Sequence, residues 1–308
     1  MQSLWMLVAS FVFSLMSVCV KLASDLYPTS EIVMCRGLIG AVFLFFVAKL
    51  HGGSLRTRLP FAHLWRGVVG VAALWLWFRS MSVLPLAMSV TLNYTAPIWI
   101  AAILFFGAWW RSAKRFEWNF AAAIIASFIG VTLLLRPSVH ADEWIGGLIA
   151  LASGALSALA YLQVKHLGEQ GEPEYRVVFY FSLTSLVAGL AGTLLTPSSQ
   201  GFQLPLFHAH TAKGALLLIA IGIFATIAQV AMTRAYRLGN TLVTANLQYT
   251  GIVFSSVWGL LIWSDMLSAM SWTGILIILA SGIAATYYNA RNAKAPVEEI
   301  ADAIANEV

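Results

Sequence analysis

Asn93 in "LNYTAPIW" (92–99) and Gln248 in "LQYTGIVF" (247–254) are primary amides set in long apolar runs, each followed by a tyrosine, Tyr94 or Tyr249. An amide offers two N–H donors and one acceptor oxygen, so such a pair can hold a polar solute or tie helices together. Pro97 stands four residues after Asn93. It has no N–H to donate and its ring clashes one turn back, which frees a carbonyl beside Asn93 and predicts a kink. The second run has Gly251 and Ile252 there instead, so the first run is expected to bend more. Arg36 and Arg79 are charges placed inside apolar runs. A guanidinium fork grips a carboxylate or phosphate through two parallel hydrogen bonds. Arg36 is therefore a candidate anion anchor, with a structural pairing to Glu31 as the competing reading. Trp77, Trp99 and Tyr161, together with Tyr94 and Tyr249, lie deep in their runs. They either line a cavity, where they stack on a flat or cationic solute, or pack against lipid and neighbouring helices.

Covalent chemistry has no equipment here. Asp142 and Glu143 are an adjacent pair in a loop, and Glu169, Glu172 and Glu174 read as a solvated turn, so no acid cluster for a metal-bound diphosphate is present. The six histidines fall in loops or at helix ends without ligand spacing, His208 and His210 coming nearest to it. Cys19 and Cys35 sit inside apolar runs, where a thiol acts as a small apolar side chain. The expectation is a protein with no catalytic residues, no metal and no cofactor. No Asp or Glu lies in the middle of an apolar run, so a carboxylate proton relay is also missing.

These residues need a scaffold that a bilayer accepts. The chain of 308 residues is 60% hydrophobic and 10% charged, with a mean hydropathy of +0.81, far from the composition of soluble domains. Ten apolar runs cover 4–24, 30–50, 64–84, 87–109, 118–136, 144–164, 175–196, 213–234, 241–264 and 270–290. Each is about 20 residues, enough to cross roughly 30 Å of hydrocarbon as a helix. The first is too long for a signal-peptide core and has no basic residue before it, so it is expected to be retained. With the N-terminus in the cytoplasm, inner ends and loops collect Lys49, Arg56, Arg58, Arg66, Lys114 and Arg115 among others, against Lys21, Arg79, Arg136 and Lys213 outside. The positive-inside rule then places both termini in the cytoplasm. The net charge of +5 follows from this bias, and no nucleic-acid partner is needed to explain it.

The two amide runs belong to a longer repeat. Sliding the chain by 155 residues lays "FRSMSVLPLAMSVTLNYT" (78–95) on "TRAYRLGNTLVTANLQYT" (233–250), matching Arg79 with Arg234, Tyr94 with Tyr249 and Thr95 with Thr250. Slightly smaller shifts lay "PTSEIVM" (28–34) on "PEYRVVF" (173–179), and "ASFVFSLMSVCVK" (9–21) on "ASGALSALAYLQVK" (152–165) with one residue inserted. Five spans per half send the second half into the membrane from the opposite side, so the repeats are inverted. Asn93 and Gln248 then approach the midplane from opposite surfaces, each roughly 9–11 Å deep at about 1.5 Å per residue. Carriers built from inverted repeats bind their solute there. The competing reading is that both amides hold helices together.

The ten-span plan, "CRGLIGAVFLF" (35–45), "LPLAMSVTLNYTAPIW" (84–99) and "FIGVTLLLRP" (128–137) resemble the EamA family of the drug/metabolite transporter superfamily, over about residues 4 to 290. The resemblance implies an all-α integral membrane protein of ten transmembrane helices, arranged as two inverted five-helix repeats, 1–140 and 141–290, with a cytoplasmic tail, 291–308. It further implies a secondary transporter of the bacterial inner membrane, not an enzyme. Such a protein moves a small organic metabolite, an amino acid, cofactor or similar, by alternating access around a midplane site. The site is expected between the third, fourth, eighth and ninth spans. A non-transporting scaffold or subunit of a larger complex is the alternative. The expected partners are the metabolite and membrane lipid, with the chain a monomer or homodimer. One departure stands out: family members often carry a Glu just after the fourth and ninth helices. Here those places read "WWRS" (109–112) and "WSDM" (263–266), so Asp265 keeps a carboxylate in the second half alone.

Overall fold

The computed structural model describes residues 2–50, 52–100, 102–103, 122, 126, 129–130, 133, 141–195, 211–239, 244, 247–264, 268–270, 272–277, 279–280 and 283. Most of the predicted fifth span, much of the tenth, Asp265, His208, His210 and the tail lie outside these residues. Within them all regular structure is helical. After a short 3₁₀ turn come α1 (Trp5–Ser24), α2 (Thr29–Leu50), α3 (Pro60–Met81), α4 (Leu86–Asn93), α5 (Ala141–Glu169), α6 (Glu174–Leu195), α7 (Ala212–Leu238) and α8 (Thr250–Trp263). Six of them, α1, α2, α3, α5, α6 and α7, are long and apolar enough to cross a membrane. They coincide with predicted spans, their ends shifted by a turn or so.

The shifts have local causes. α3 begins ahead of its apolar run because Pro60 occupies the first turn, where its missing N–H has no partner to lose and its φ is preset. α7 starts at Thr211, whose hydroxyl accepts the Gly214 N–H at 3.1 Å. Between α5 and α6 the chain turns through Gly171 at φ +82, a left-handed conformation that costs glycine little.

Large apolar side chains such as Phe43, Phe46, Val187, Leu216 and Leu261 face outward, while Ser10, Ser17, Ser153, Ser185, Thr226 and Gln229 are buried. This is the distribution expected when lipid is the solvent and small or polar residues mediate helix contact. At the seam of α2 and α6, a Cβ on Gly37 would collide with the backbone of Leu186, and one on Gly189 with that of Met34. The contacts elsewhere come in matching sets. α1 lies on α7 and α3 on α5; α2 touches α7 and α3 touches α6; α8 packs on α1 and α4 on α5; α4 and α8 meet each other.

Both amide runs are interrupted at the tyrosine. α4 ends at Asn93, Tyr94 and Thr95 form a turn, and helix resumes over 96–100. Thr95 N–H reaches Leu92 O at 3.2 Å and Ile98 N–H reaches Thr95 O at 2.9 Å, a tightened three-residue spacing. In the other run Tyr249 is a turn residue, Ile252 N–H reaches Tyr249 O at 3.0 Å, and α8 starts at Thr250. In each run the threonine hydroxyl donates back three residues, Thr95 to Leu92 O and Thr250 to Leu247 O, both at 2.7 Å. Back-bonding of this kind competes with the helix ladder. Proline is thus not required for an interruption, but the run that has Pro97 departs further: two turn residues with Tyr94 at φ −77, ψ 14, against one, Tyr249, that stays helical at φ −61, ψ −21. Proline adds a local effect: it returns no N–H to Asn93 O, and α5 fills that side. A Cβ on Gly154 would lie 2.9 Å from both Asn93 O and Leu92 O.

Candidate functional site

Two adjoining clefts lie among the helices. One is lined by Met6, Ser10, Phe13, Trp77, Tyr94, Tyr161, Met232 and Gln248. The other is lined by Phe13, Trp77 and Tyr161 again, with Arg36, Arg66, Gly70, Ala73, Leu74, Ser157, Ala160, Phe181 and Gln229. The three shared aromatics make them one region with an amide end and a cationic end.

Helical spacing delivers these walls. Met6, Ser10 and Phe13 share a face of α1, and Arg66, Gly70, Ala73 and Trp77 share a face of α3. Trp77 meets Phe13 edge-on at 6.4 Å and Tyr94 at 6.3 Å, and Tyr161 stacks on Tyr236 at 5.4 Å. At the amide end Gln248 Nε2 donates to the Tyr161 hydroxyl and Gln248 Oε1 accepts from Tyr236, both at 3.4 Å. These bonds are long enough to yield to a better partner.

Of the residues singled out by sequence, Arg36, Trp77, Tyr94, Tyr161 and Gln248 line this region. The others are placed elsewhere. Asn93 is buried with its Nδ2 donating to Ser153 Oγ at 2.8 Å and Ser157 Oγ at 3.4 Å, and Ser153 donates on to Ala73 O at 2.7 Å. Pro97 is buried behind the turn. Trp99 packs on a small cluster of Ala96, Ile100 and Ala158 beside Tyr161. Tyr249 is buried and its hydroxyl has no hydrogen-bond partner. Arg79 is exposed at the end of α3 and donates to Ser82 Oγ at 3.1 Å.

Arg66, an inner-end charge by the positive-inside pattern, lines the same cleft as Arg36. It is 2% exposed, and its guanidinium carbon lies 4.2 Å from the centroid of the Phe181 ring. Arg36 lies 4.9 Å from the same ring and donates to Ser185 Oγ at 3.4 Å. The spacing of Arg66 with Gly70, Ala73 and Trp77 was the available signal. The place of Arg66 near the start of an apolar run also suits an inner-end charge under the positive-inside rule.

Outside the membrane-spanning helices, the turn after α5 is tied to the loop between α2 and α3. Glu172 accepts from Thr57 Oγ1 at 2.6 Å and from Arg176 Nη1 at 2.9 Å, with His63 Nε2 at 3.4 Å. Arg176 also donates through Nη2 to Ser54 O at 2.7 Å. Burial alone would raise the Glu172 carboxyl, but the hydrogen bonds from Thr57 and Arg176 outweigh it and hold the group below its ordinary range.

Comparison with known proteins agrees with this architecture. Residues 1–136 match the model of the EamA-like transporter family. A pseudopaline exporter of Pseudomonas aeruginosa is 30% identical over 279 residues, covering 90% of this chain and 92% of the relative. A riboflavin transporter of Rhizobium johnstonii is 26% identical, covering 91% and 89%. A solved crystal structure at 17% identity superimposes with a TM-score of 0.65, covering 92% of this chain and 98% of that one, so the fold is shared along nearly the whole length. A chain helical throughout the regular structure of its described residues, with six helices long and apolar enough to cross a membrane, and aligned with transporters over nine-tenths of its length, is a transporter: it belongs to the EamA-like transporter family of the drug/metabolite transporter superfamily.

Proposed function

We propose that the protein is a secondary carrier of the bacterial inner membrane that moves a small organic metabolite by alternating access around the central cavity. The observation that carries this reading is the repeat seen from inside. Leu74 and Gln229, and Trp77 and Met232, are pairs that the 155-residue shift superimposes, and all four line the cavity. Equivalent positions of two halves meeting around one void are what an inverted-repeat carrier requires. The matching helix contacts, α1 on α7 with α3 on α5, support the same division into 1–140 and 141–290. Relatives named for pseudopaline export and riboflavin transport support a small-molecule cargo.

In this reading Trp77, Tyr94 and Tyr161 form the apolar walls of the site, Gln248 a polar contact and Arg36 a charged one. Asn93 and Pro97 hold the interrupted run against α5, and Trp99 and Tyr249 pack behind the walls. Arg79 has a topological role. Rocking of the halves exchanges access, and both termini are cytoplasmic. The test is reconstitution of the purified protein in liposomes and counterflow of labelled solutes, beginning with riboflavin and amino acids. Accelerated exchange without any other protein is expected. A protein that exchanges no solute in any such panel is a scaffold.

A further inference from the structure

We infer that Arg36 and Arg66 together form a binding site for a carboxylate or phosphate group of the transported solute, whose body is flat and apolar. This rests on the carrier reading above and names the chemistry of its cargo. The two side chains are 3% and 2% exposed, and their guanidinium carbons stand 4.9 and 4.2 Å from the centroid of one ring, Phe181. Among the described residues, Arg36 Nε and Arg66 Nε and Nη1 are buried without a hydrogen-bond partner, and no carboxylate lines either cleft.

Two like charges brought out of water with no counter-ion are unfavourable, and an aromatic face offsets only part of that. An anion supplied from outside reverses the balance, because each guanidinium presents paired donors matched to two oxygens of a carboxylate or phosphate. The backbone is shaped to keep the fork in place: a Cβ on Gly70 would collide with Arg66 Nη1. The charge is also one-sided. The repeat sets Phe181 opposite Arg36 and Ile221 opposite Arg66, so the second half contributes no cation at these places. The solute therefore has one anionic end, with its body against Trp77, Tyr161 and Phe13.

The experiment is thermal unfolding of the purified full-length protein in detergent with probes that share one ring: indole-3-acetate, indole-3-acetamide and tryptamine. Phenyl phosphate provides the phosphate arm, and micelles with and without phosphatidylglycerol provide the lipid arm. Indole-3-acetate or phenyl phosphate should raise the midpoint in a saturable way, and the amide and the amine should not. Arg36→Gln and Arg66→Gln should each raise the half-saturating concentration about tenfold or more. Without probe, Arg66→Gln should unfold at the same temperature as the parent or higher, since a buried charge is removed and no partner is stranded. A large drop there marks Arg66 as structural and overturns the inference. Equal stabilisation by the amide, no stabilisation by any anion, or stabilisation by phosphatidylglycerol alone also overturns it. In proteoliposomes, counterflow of neutral or cationic solutes without anions would leave the carrier reading standing and this inference fallen. Absence of all flux, with anion stabilisation intact, would remove the carrier reading and leave Arg36 and Arg66 as an anion site without a transported cargo.

Discussion

Asn93 and Gln248 occupy equivalent places in two similar runs, each just before an interrupted tyrosine, yet they face different surroundings. Asn93 itself does not line the cavity: it spends its amide on Ser153 at 2.8 Å and, at 3.4 Å, on Ser157, whose own side chain does. Gln248 lines the cavity, with 3.4 Å contacts to two tyrosine hydroxyls. A repeat fixes where along a helix a polar group sits. Which neighbour it meets depends on the facing surface: Asn93 meets Ser153 and Ser157 of α5, whereas Gln248 meets Tyr161, farther along the same helix, and Tyr236 of α7. In our reading one run has become the stabilised hinge and the other the responsive one.

Substitutions can break that contrast, the largest effect coming first. Gly154→Ala forces a methyl against two backbone carbonyls that have nowhere to go, and it is expected to cost about 2–3 kcal/mol. Unfolding in detergent measures it. In the other run, Gly251→Ala meets the Tyr94 ring of the cleft wall rather than backbone, so its effect should fall on solute affinity more than on stability. Asn93→Ala should lower stability by about 1–2 kcal/mol and leave the half-saturating solute concentration unchanged. Gln248→Ala should do the opposite, weakening solute binding roughly fivefold with little change in unfolding. If the two alanine variants behave alike, the proposed division of labour between hinge and site is wrong.

Two smaller effects sharpen it. Glu172 is held below its ordinary carboxylate range, so its stabilising contribution is complete above about pH 4.5 and lost as pH falls through the lower, folded value. Glu172→Gln should cost about 1 kcal/mol at neutral pH and make the unfolding midpoint less sensitive to pH below 4.5. Arg79→Ala, the first-half member of the mirrored Arg79 and Arg234 pair, removes an exposed contact and should shift stability by less than about 0.5 kcal/mol.

Much of the fold was legible in the sequence because membrane helices announce themselves by length and hydropathy. The site was legible in part. Trp77, Tyr94, Tyr161, Gln248 and Arg36 stood out as deep polar or aromatic residues, and the structure gathers them. Asn93, Tyr249 and Trp99 stood out for the same reason and pack away from the cavity, since depth says nothing of which way a side chain is turned. Arg66, Phe181 and Ser157 did not stand out. Phe181 is one of many phenylalanines in an apolar run, and Arg66 matched an adequate explanation in charge topology.

The chain's own order of residues determined its apolar solvent, the positions of its described helices and the likeness of its two amide runs. These follow from hydrophobic length, proline and threonine punctuation and spacing, all of which act along the chain. The tertiary structure decided which amide meets serines and which meets the cavity, and it brought Arg36 and Arg66 onto one phenyl ring. Those outcomes depend on the rotation of each helix about its axis, which is set by small-residue contacts such as Gly37 against Leu186. Packing between distant segments fixes that angle, and hydropathy read along one segment carries no record of it.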